Sequence, residues 1–170
     1  MIYNMKTVTL RAMEPDDLEH LYRWENASEK DSSTEHRLYS RHELTQFILS
    51  AENEDVYASR QQRLMAVDGD VTVGFVEIYD FDPYHHHAGF GVLVDNQLRG
   101  QGYSIAMMAA LEEYCRAELQ IHVLWCDVAA SNTASRTMLR RCGYEEIGWR
   151  KDWLYVNGHY EDAVAVQKTL

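Results

Sequence analysis

The chain has 170 residues, the length of one ordinary domain, and a domain of that size buries about 70% of its unfolded surface without metal or disulfide staples. Acidic residues outnumber basic ones 27 to 16, a formal charge of −11. That balance excludes non-specific duplex binding, which depends on Lys and Arg neutralising phosphates, and it disfavours docking on anionic lipid. It suits a cationic small molecule or basic peptide as partner, and equally a surface kept acidic for solubility.

Cys115, Cys126 and Cys142 are odd in number and widely spaced, so neither a disulfide framework nor a zinc motif is indicated. Buried thiols in a reducing cytoplasm are the expectation. Met1 to Lys6 contains no apolar core, so no signal peptide is expected. The longest apolar run, from Ile105 to Leu111, is far short of the roughly 20 residues that span a bilayer.

In chain order, alternation over 7–11 predicts a strand, and Pro15 opens a short helix with Asp16 and Asp17 at its positive end. Leu18, Leu21 and Tyr22 give that helix its apolar stripe. Residues 27–40 are polar and read as a loop, and a second helix is expected over 41–52. The stretches 64–67 and 71–81 flank Asp68-Gly69-Asp70 and predict a hairpin, and Asp82-Pro83-Tyr84 turns the chain into a further strand over 88–94. After Gly100 and Gly102 a helix is expected, with Ile105, Met108, Leu111, Cys115 and Leu119 on its apolar face. A buried strand over 123–128 follows. Asn132 then caps a helix that ends at Cys142-Gly143. Strands over 146–156 and 159–166, joined by Asn157-Gly158, close the pattern as a hairpin. An antiparallel meander ahead of the Gly-rich turn excludes a doubly wound dinucleotide fold.

The segment Val92-Leu93-Val94-Asp95-Asn96-Gln97-Leu98-Arg99-Gly100-Gln101-Gly102-Tyr103-Ser104 carries the clearest chemistry. A strand, a basic residue, two glycines and a helix start build an anion site: glycines let successive N–H groups converge, and the helix N-terminus adds partial positive charge. A diphosphate fits such a nest. Ile105 stands where a dinucleotide fingerprint needs glycine, and the Gly-Lys-Ser/Thr of a phosphate loop is absent.

This segment resembles the coenzyme A motif of the GNAT superfamily of acetyl-CoA-dependent N-acetyltransferases. Arg99 and Gly102 match, Ser104 stands where Gly or Ala is usual, and Asn96 where Pro is common. Asn132-Thr133-Ala134-Ser135, then Leu139, then Cys142-Gly143-Tyr144 resembles the signature of the branch holding the ribosomal-protein N-terminal acetyltransferases. The opening Leu10-Arg11 with Pro15-Asp16-Asp17-Leu18 is similar to that branch, and the closing Val156-Asn157-Gly158-His159-Tyr160-Glu161-Asp162-Ala163 is similar to spermidine N-acetyltransferases.

The resemblance implies a single α/β (α+β) domain over 1–170, with a mixed, mostly antiparallel, twisted central sheet flanked by helices and splayed where the coenzyme inserts. It implies acetyl-CoA as co-substrate, bound by Val92, Leu93, Val94, Arg99, Gly100, Gln101, Gly102, Tyr103, Ser104, Asn132 and Ser135. Transfer is then direct, from the thioester to a polyamine or other small primary amine, or to a protein N-terminus. A coenzyme A-binding sensor without catalysis is the alternative, kept open by Leu139 where many members have Tyr.

An N–H among Val92, Leu93 and Val94 is the candidate donor to the developing oxyanion. Ser135 is the candidate acid, with helix capping or a pantetheine contact as its other readings. Asn132 is either a pantetheine contact or a helix cap only. Glu77, Asp80 and Asp82 are candidate bases, with Glu35 weaker, and solvated surface acids are the other reading. Tyr144 is expected in the core. His85 and His87 share a strand face, but two imidazoles without a carboxylate or thiol at fixed spacing make a poor zinc site, so no metal is expected. The open edge of the closing hairpin is a candidate for pairing two chains.

Overall fold

A computed structural model describes residues 6–27, 37–156 and 158–170. The strands are β1 Thr9–Arg11, β2 Gln62–Asp68, β3 Val71–Asp82, β4 His87–Val94, β5 Val123–Ala129, β6 Glu145–Val156 and β7 His159–Thr169. The helices are α1 Leu18–Glu25, α2 Arg41–Ala51, α3 Val56–Ser59, α4 Tyr103–Ala117 and α5 Thr133–Arg141, with 3₁₀ turns at Pro15–Asp17 and Asn96–Leu98. Every expected element is present. The short α3, capped by Asp55, is additional. Glu35 and most of the polar stretch 27–40 lie outside the described residues, as does Asn157 of the closing turn.

The chain divides into two compact units. The first holds 6–12, Glu54–Trp125 and Lys168–Leu170; the second holds the described part of 13–53 together with Cys126–Gln167. In the first unit the strands run in the order β1-β2-β3-β4-β5, antiparallel except for the parallel pair β4/β5. In the second the order is β5-β7-β6, with β6 and β7 antiparallel and β6 at the edge. The mixed, mostly antiparallel sheet with flanking helices is therefore as expected.

Strand alternation sets the two faces of the first unit's sheet. Leu64, Ala66, Val76, Ile78, Ala88, Phe90 and Leu124 are buried together. Helix α4 covers that face with Tyr103, Met107, Met108, Leu111 and Cys115, and the Met107 methyl lies 3.1 Å from where a Cβ on Gly74 would sit. Ile105 is a correction: it is 38% exposed, because the buried stripe starts from Tyr103 and Met107 instead. The chain comes back to this unit at its end, where Lys168 Nζ pairs with Glu112 at 2.6 Å and the Leu170 N–H donates to the His122 carbonyl at 2.8 Å.

Cys115 and Cys126 are buried, and burial pushes both thiols up to about 12; Cys142 is half-buried instead of buried as expected. A thiolate is the reactive form. Titration with a chromogenic disulfide at pH 8 should thus count one fast thiol, Cys142, in the native protein and three after denaturation. Three fast native thiols would show that the burial is not maintained in solution. Among the described residues no helix is long and apolar enough to cross a membrane.

Candidate active site

Strand β4 outruns its ladder with β5, which also continues past the last pair. Its ladder with β5 pairs His87 with Val123, Ala88 with Leu124 and Gly89 with Trp125, and β4 then continues through 90–94. The start of the ladder is pinned by His86, whose carbonyl accepts the N–H groups of His122 at 2.6 Å and Val123 at 3.1 Å. On its other side β4 stays in register with β3 from Tyr79↔Gly89 to Gly74↔Val94. The Asp95 N–H donates to the Val73 carbonyl at 2.8 Å, and this fixes the phase of that ladder. Peptide groups alternate along an antiparallel pair. Leu93 and Gly91 therefore direct their peptide groups to β3, whereas Val92 and Val94 direct theirs to the opposite edge. The three candidate donors reduce to two, Val92 and Val94.

The chain leaves β4 through a braced turn. Asp95, 5% exposed, accepts the Gln97 N–H at 2.9 Å, and the Gln101 side-chain amide donates to the Gln97 carbonyl at 3.2 Å. Gly100 and Gly102 follow in left-handed conformations, φ 74° and 88°. Nothing lies within 4 Å of a Cβ built on either, so the backbone there is bare. Ala106 donates to Gly102 as the first helical bond of α4, which leaves the N–H groups of Tyr103, Ser104 and Ile105 without helical acceptors. The Tyr103 side chain turns inward: its hydroxyl donates to Asp68 at 2.9 Å and accepts from Lys6 at 3.1 Å. Tyr103 thus offers the nest its backbone only. Arg99 is exposed and, among the described residues, has no hydrogen-bond or ion-pair partner. Bare glycine backbone, unsatisfied N–H groups at the positive end of a 15-residue helix and a free guanidinium fit a diphosphate.

The candidate bases separate. Glu77 pairs across β2/β3 with Arg63, whose Nε donates to Oε1 at 2.7 Å while its guanidinium lies over the Phe75 ring. The other oxygen, Oε2, lies 3.4 Å from where a Cβ on Gly91 would sit, next to Val92 along β4. Asp80 and Asp82 stand instead at the β3/β4 turn, at the opposite end of β4 from the glycines. Asp82 accepts the N–H groups of His85 at 2.8 Å and Tyr84 at 2.9 Å, and these bonds hold its carboxyl below the usual range. It is a turn cap. Asp80 sits in the irregular step before it, with φ 49°. His85 is a correction: it lies in the turn and only His87 stands on β4, so the two share no strand face, although their rings stack at 6.4 Å. Among the described residues no group of three His, Cys, Asp or Glu is arranged to hold a metal.

Asn132 and Ser135 belong to the second unit. The Asn132 carboxamide accepts the Ser135 N–H at 3.0 Å, so the cap at the start of α5 is real and is made by Asn132, not by Ser135. Leu139 and Tyr144 are buried at 3% and 4% exposure, Tyr144 as expected. Two residues that the sequence did not single out frame this turn. Arg136 donates to both oxygens of Glu146, at 2.9 and 3.1 Å, and to the Ala130 carbonyl, and this pairing lowers the Glu146 carboxyl. Glu161 accepts the Ser131 N–H at 2.7 Å. No local pattern marks either; both partnerships span turns that only the fold closes.

Comparison with known proteins gives consistent matches. Residues 7–145 match the family model described as an acetyltransferase (GNAT) domain. The spermidine N(1)-acetyltransferase of Vibrio cholerae is 22% identical over 91% of this chain and 88% of its own. A putative ribosomal N-acetyltransferase of Bacillus subtilis is 26% identical over 92% and 88%. Among solved structures, that of spermidine N-acetyltransferase from Vibrio cholerae in complex with CoA and spermine superposes with a TM-score of 0.86 at 22% identity, covering 96% of this chain and 95% of that one.

Proposed function

Because the chain belongs to the acetyltransferase (GNAT) domain family, we propose that it moves an acetyl group from acetyl-CoA to a primary amine by direct attack, without an acyl-enzyme. The observation that carries this reading is the pair of left-handed glycines opening α4 directly after a strand whose end outruns its ladder. Acetyl-CoA supplies the activated acyl carbon and a thiolate leaving group. The chain's own residues do the rest. Gly100, Gln101, Gly102 and the first N–H groups of α4 hold the diphosphate, with Arg99 adding charge. The edge N–H of Val92 or Val94 meets the carbonyl oxygen as negative charge develops on it.

Glu77, oriented by Arg63, receives the ammonium through Oε2 and passes its proton to water, so that the nitrogen gains a lone pair. The C–N bond forms and the C–S bond breaks, and the proton that the new amide nitrogen gives up goes to the departing thiolate. Asn132 and Ser135 are assigned from their motif, to the pantetheine arm and to the leaving sulfur. The acceptor is a polyamine or other small amine, favoured by the −11 charge and by the name of the Vibrio cholerae relative. The Bacillus subtilis relative supports a protein N-terminus as the second acceptor class.

We read residues 1–170 as one such domain working in the cytoplasm. A homodimer through the open edge of β6 is part of this reading; Trp149 and Trp153 there are each 57% exposed. Thiol release from acetyl-CoA over a panel of polyamines, amino acids and peptide N-termini tests the activity. Coenzyme A binding with no turnover on any amine would replace the enzyme by a sensor. Asn132 has its own test. Asn132→Ala should cost about 1 kcal/mol through the lost cap, whereas Asn132→Ser should keep the cap. If both variants raise the acetyl-CoA KM about tenfold, the pantetheine role stands; if neither does, Asn132 is a cap only.

A further inference from the structure

The sheet face turned away from α4 carries a feature that acetyl transfer as outlined above does not use. Tyr79, Gly89 and Trp125 stand in one row across β3, β4 and β5, through the pairs Tyr79↔Gly89 and Gly89↔Trp125. The Tyr79 ring lies across the glycine: a Cβ on Gly89 would fall 2.1 Å from the Tyr79 Cε2. Tyr79 meets Trp125 edge to face, with centroids 5.5 Å apart at 87°. This row is the last of the β4/β5 ladder. The next row on the same face is Glu77↔Gly91, with the Glu77 Oε2 over the glycine. Both rings are partly exposed, whereas Met65 and Phe75 of the same face are 0% and 5% exposed.

We propose that Tyr79 and Trp125 form the aromatic wall of the acceptor subsite and select an alkylammonium group, which rests over Gly91 between these rings and the Glu77 Oε2. The proposal rests on the acetyl-transfer reading and deepens it. Three observations agree. Gly89 lets the Tyr79 ring lie flat across β4, and Gly91 leaves the next row bare of a side chain of its own beside the Glu77 carboxylate. A cation is attracted to the face of a Trp or Tyr ring, most strongly where water is scarce. Arg63 occupies the Oε1 side of Glu77 and repels a second cation there, so the open approach to the carboxylate is from the aromatic side. The ammonium then stands beside Val92, whose peptide group faces the ladder-free edge.

The test uses Tyr79→Leu, Trp125→Leu and Tyr79→Phe in the full chain, with melting and circular dichroism to confirm folding. The cation–π range converts to a loss of about 2- to 30-fold. Each Leu variant should raise the KM for the best amine by that factor and leave the acetyl-CoA KM within twofold, and Tyr79→Phe, which keeps the ring, should raise the amine KM less than Tyr79→Leu does. The second readout needs no turnover. Wild type should bind butyltrimethylammonium at least fivefold more tightly than its neutral tert-butyl isostere in an equilibrium titration, and Tyr79→Leu should erase that preference. Amine KM values within twofold of wild type in both Leu variants, or equal binding of the two isosteres by wild type, would overturn the proposal. If wild type releases no thiol with any amine but keeps the cation preference, the acetyl-transfer reading fails while the cation subsite stands.

Discussion

Gly102→Val should weaken acetyl-CoA binding by about 5- to 150-fold while leaving the protein folded. Gly102 holds φ 88°, a region that costs a β-branched residue about 1–3 kcal/mol. The variant relieves this strain by leaving the left-handed conformation. The N–H groups at the start of α4 then no longer converge, and binding must restore them at that cost, with each 1.4 kcal/mol worth a factor of ten. Nothing within 4 Å obstructs the new side chain, so the effect is conformational rather than steric. Gly69→Val is the control. Gly69 has φ 60° and the same open surroundings, but it lies in the turn between β2 and β3. It should lose similar stability and keep coenzyme affinity. Calorimetric titration with coenzyme A decides: equal affinities for the two variants would remove the nest from the coenzyme site.

Gly74→Ala should be the most destabilising single methyl addition in the first unit. A Cβ there would stand 1.9 Å from the Leu93 carbonyl oxygen and 3.1 Å from the Met107 methyl. A side-chain end can swing aside, but a carbonyl in a strand moves only with its strand. Over-packing of this kind costs about 1–3 kcal/mol, and a backbone collision puts this site at the upper end. For a chain of this length that is about a 6–12 °C fall in Tm. The displaced residue, Leu93, lies between the two edge donors Val92 and Val94. Turnover measured well below the melting point should therefore fall as well. Gly148→Ala, with nothing within 4 Å, should change Tm by less than about 2 °C. A Gly74→Ala protein that melts and turns over like wild type would mean that β3 and β4 are not this close in solution.

What could be read from the chain follows the range of the interactions. Gly100, Gly102, the Asn132 cap and the Cys142-Gly143 stop are local, and local chemistry is written in consecutive residues. Ile105 misled because Ile-Ala-Met-Met-Ala-Ala-Leu is apolar on every side, and periodicity cannot set the phase of such a helix. Helix α3 has too few residues for a period to show. The carboxylates looked alike in sequence; only the β2/β3 register brings Arg63 to Glu77, and only the turn after β3 converts Asp82 into a cap. Tyr79 and Trp125 are far apart along the chain, and nothing short of the β4/β5 ladder joins them. Choosing between Leu93 and its neighbours required a single hydrogen bond, from Asp95 to Val73.

The Lys168–Glu112 ion pair and the bond from the Leu170 N–H to His122 have a consequence for synthesis on the ribosome. Both units are assembled from segments that are not contiguous: the first needs Lys168–Leu170, and the second joins part of 13–53 to Cys126–Gln167. The nascent chain through Trp125 can form β1 to β4 and α4, yet it still lacks the residues that tie Glu112 and His122. The glycine nest is therefore translated well before the tail that braces the helix it opens. Ribosome-bound chains whose residue 125 has just left the exit tunnel should show loosely held α4 amides, and those amides should become protected only after residue 170 has left it too.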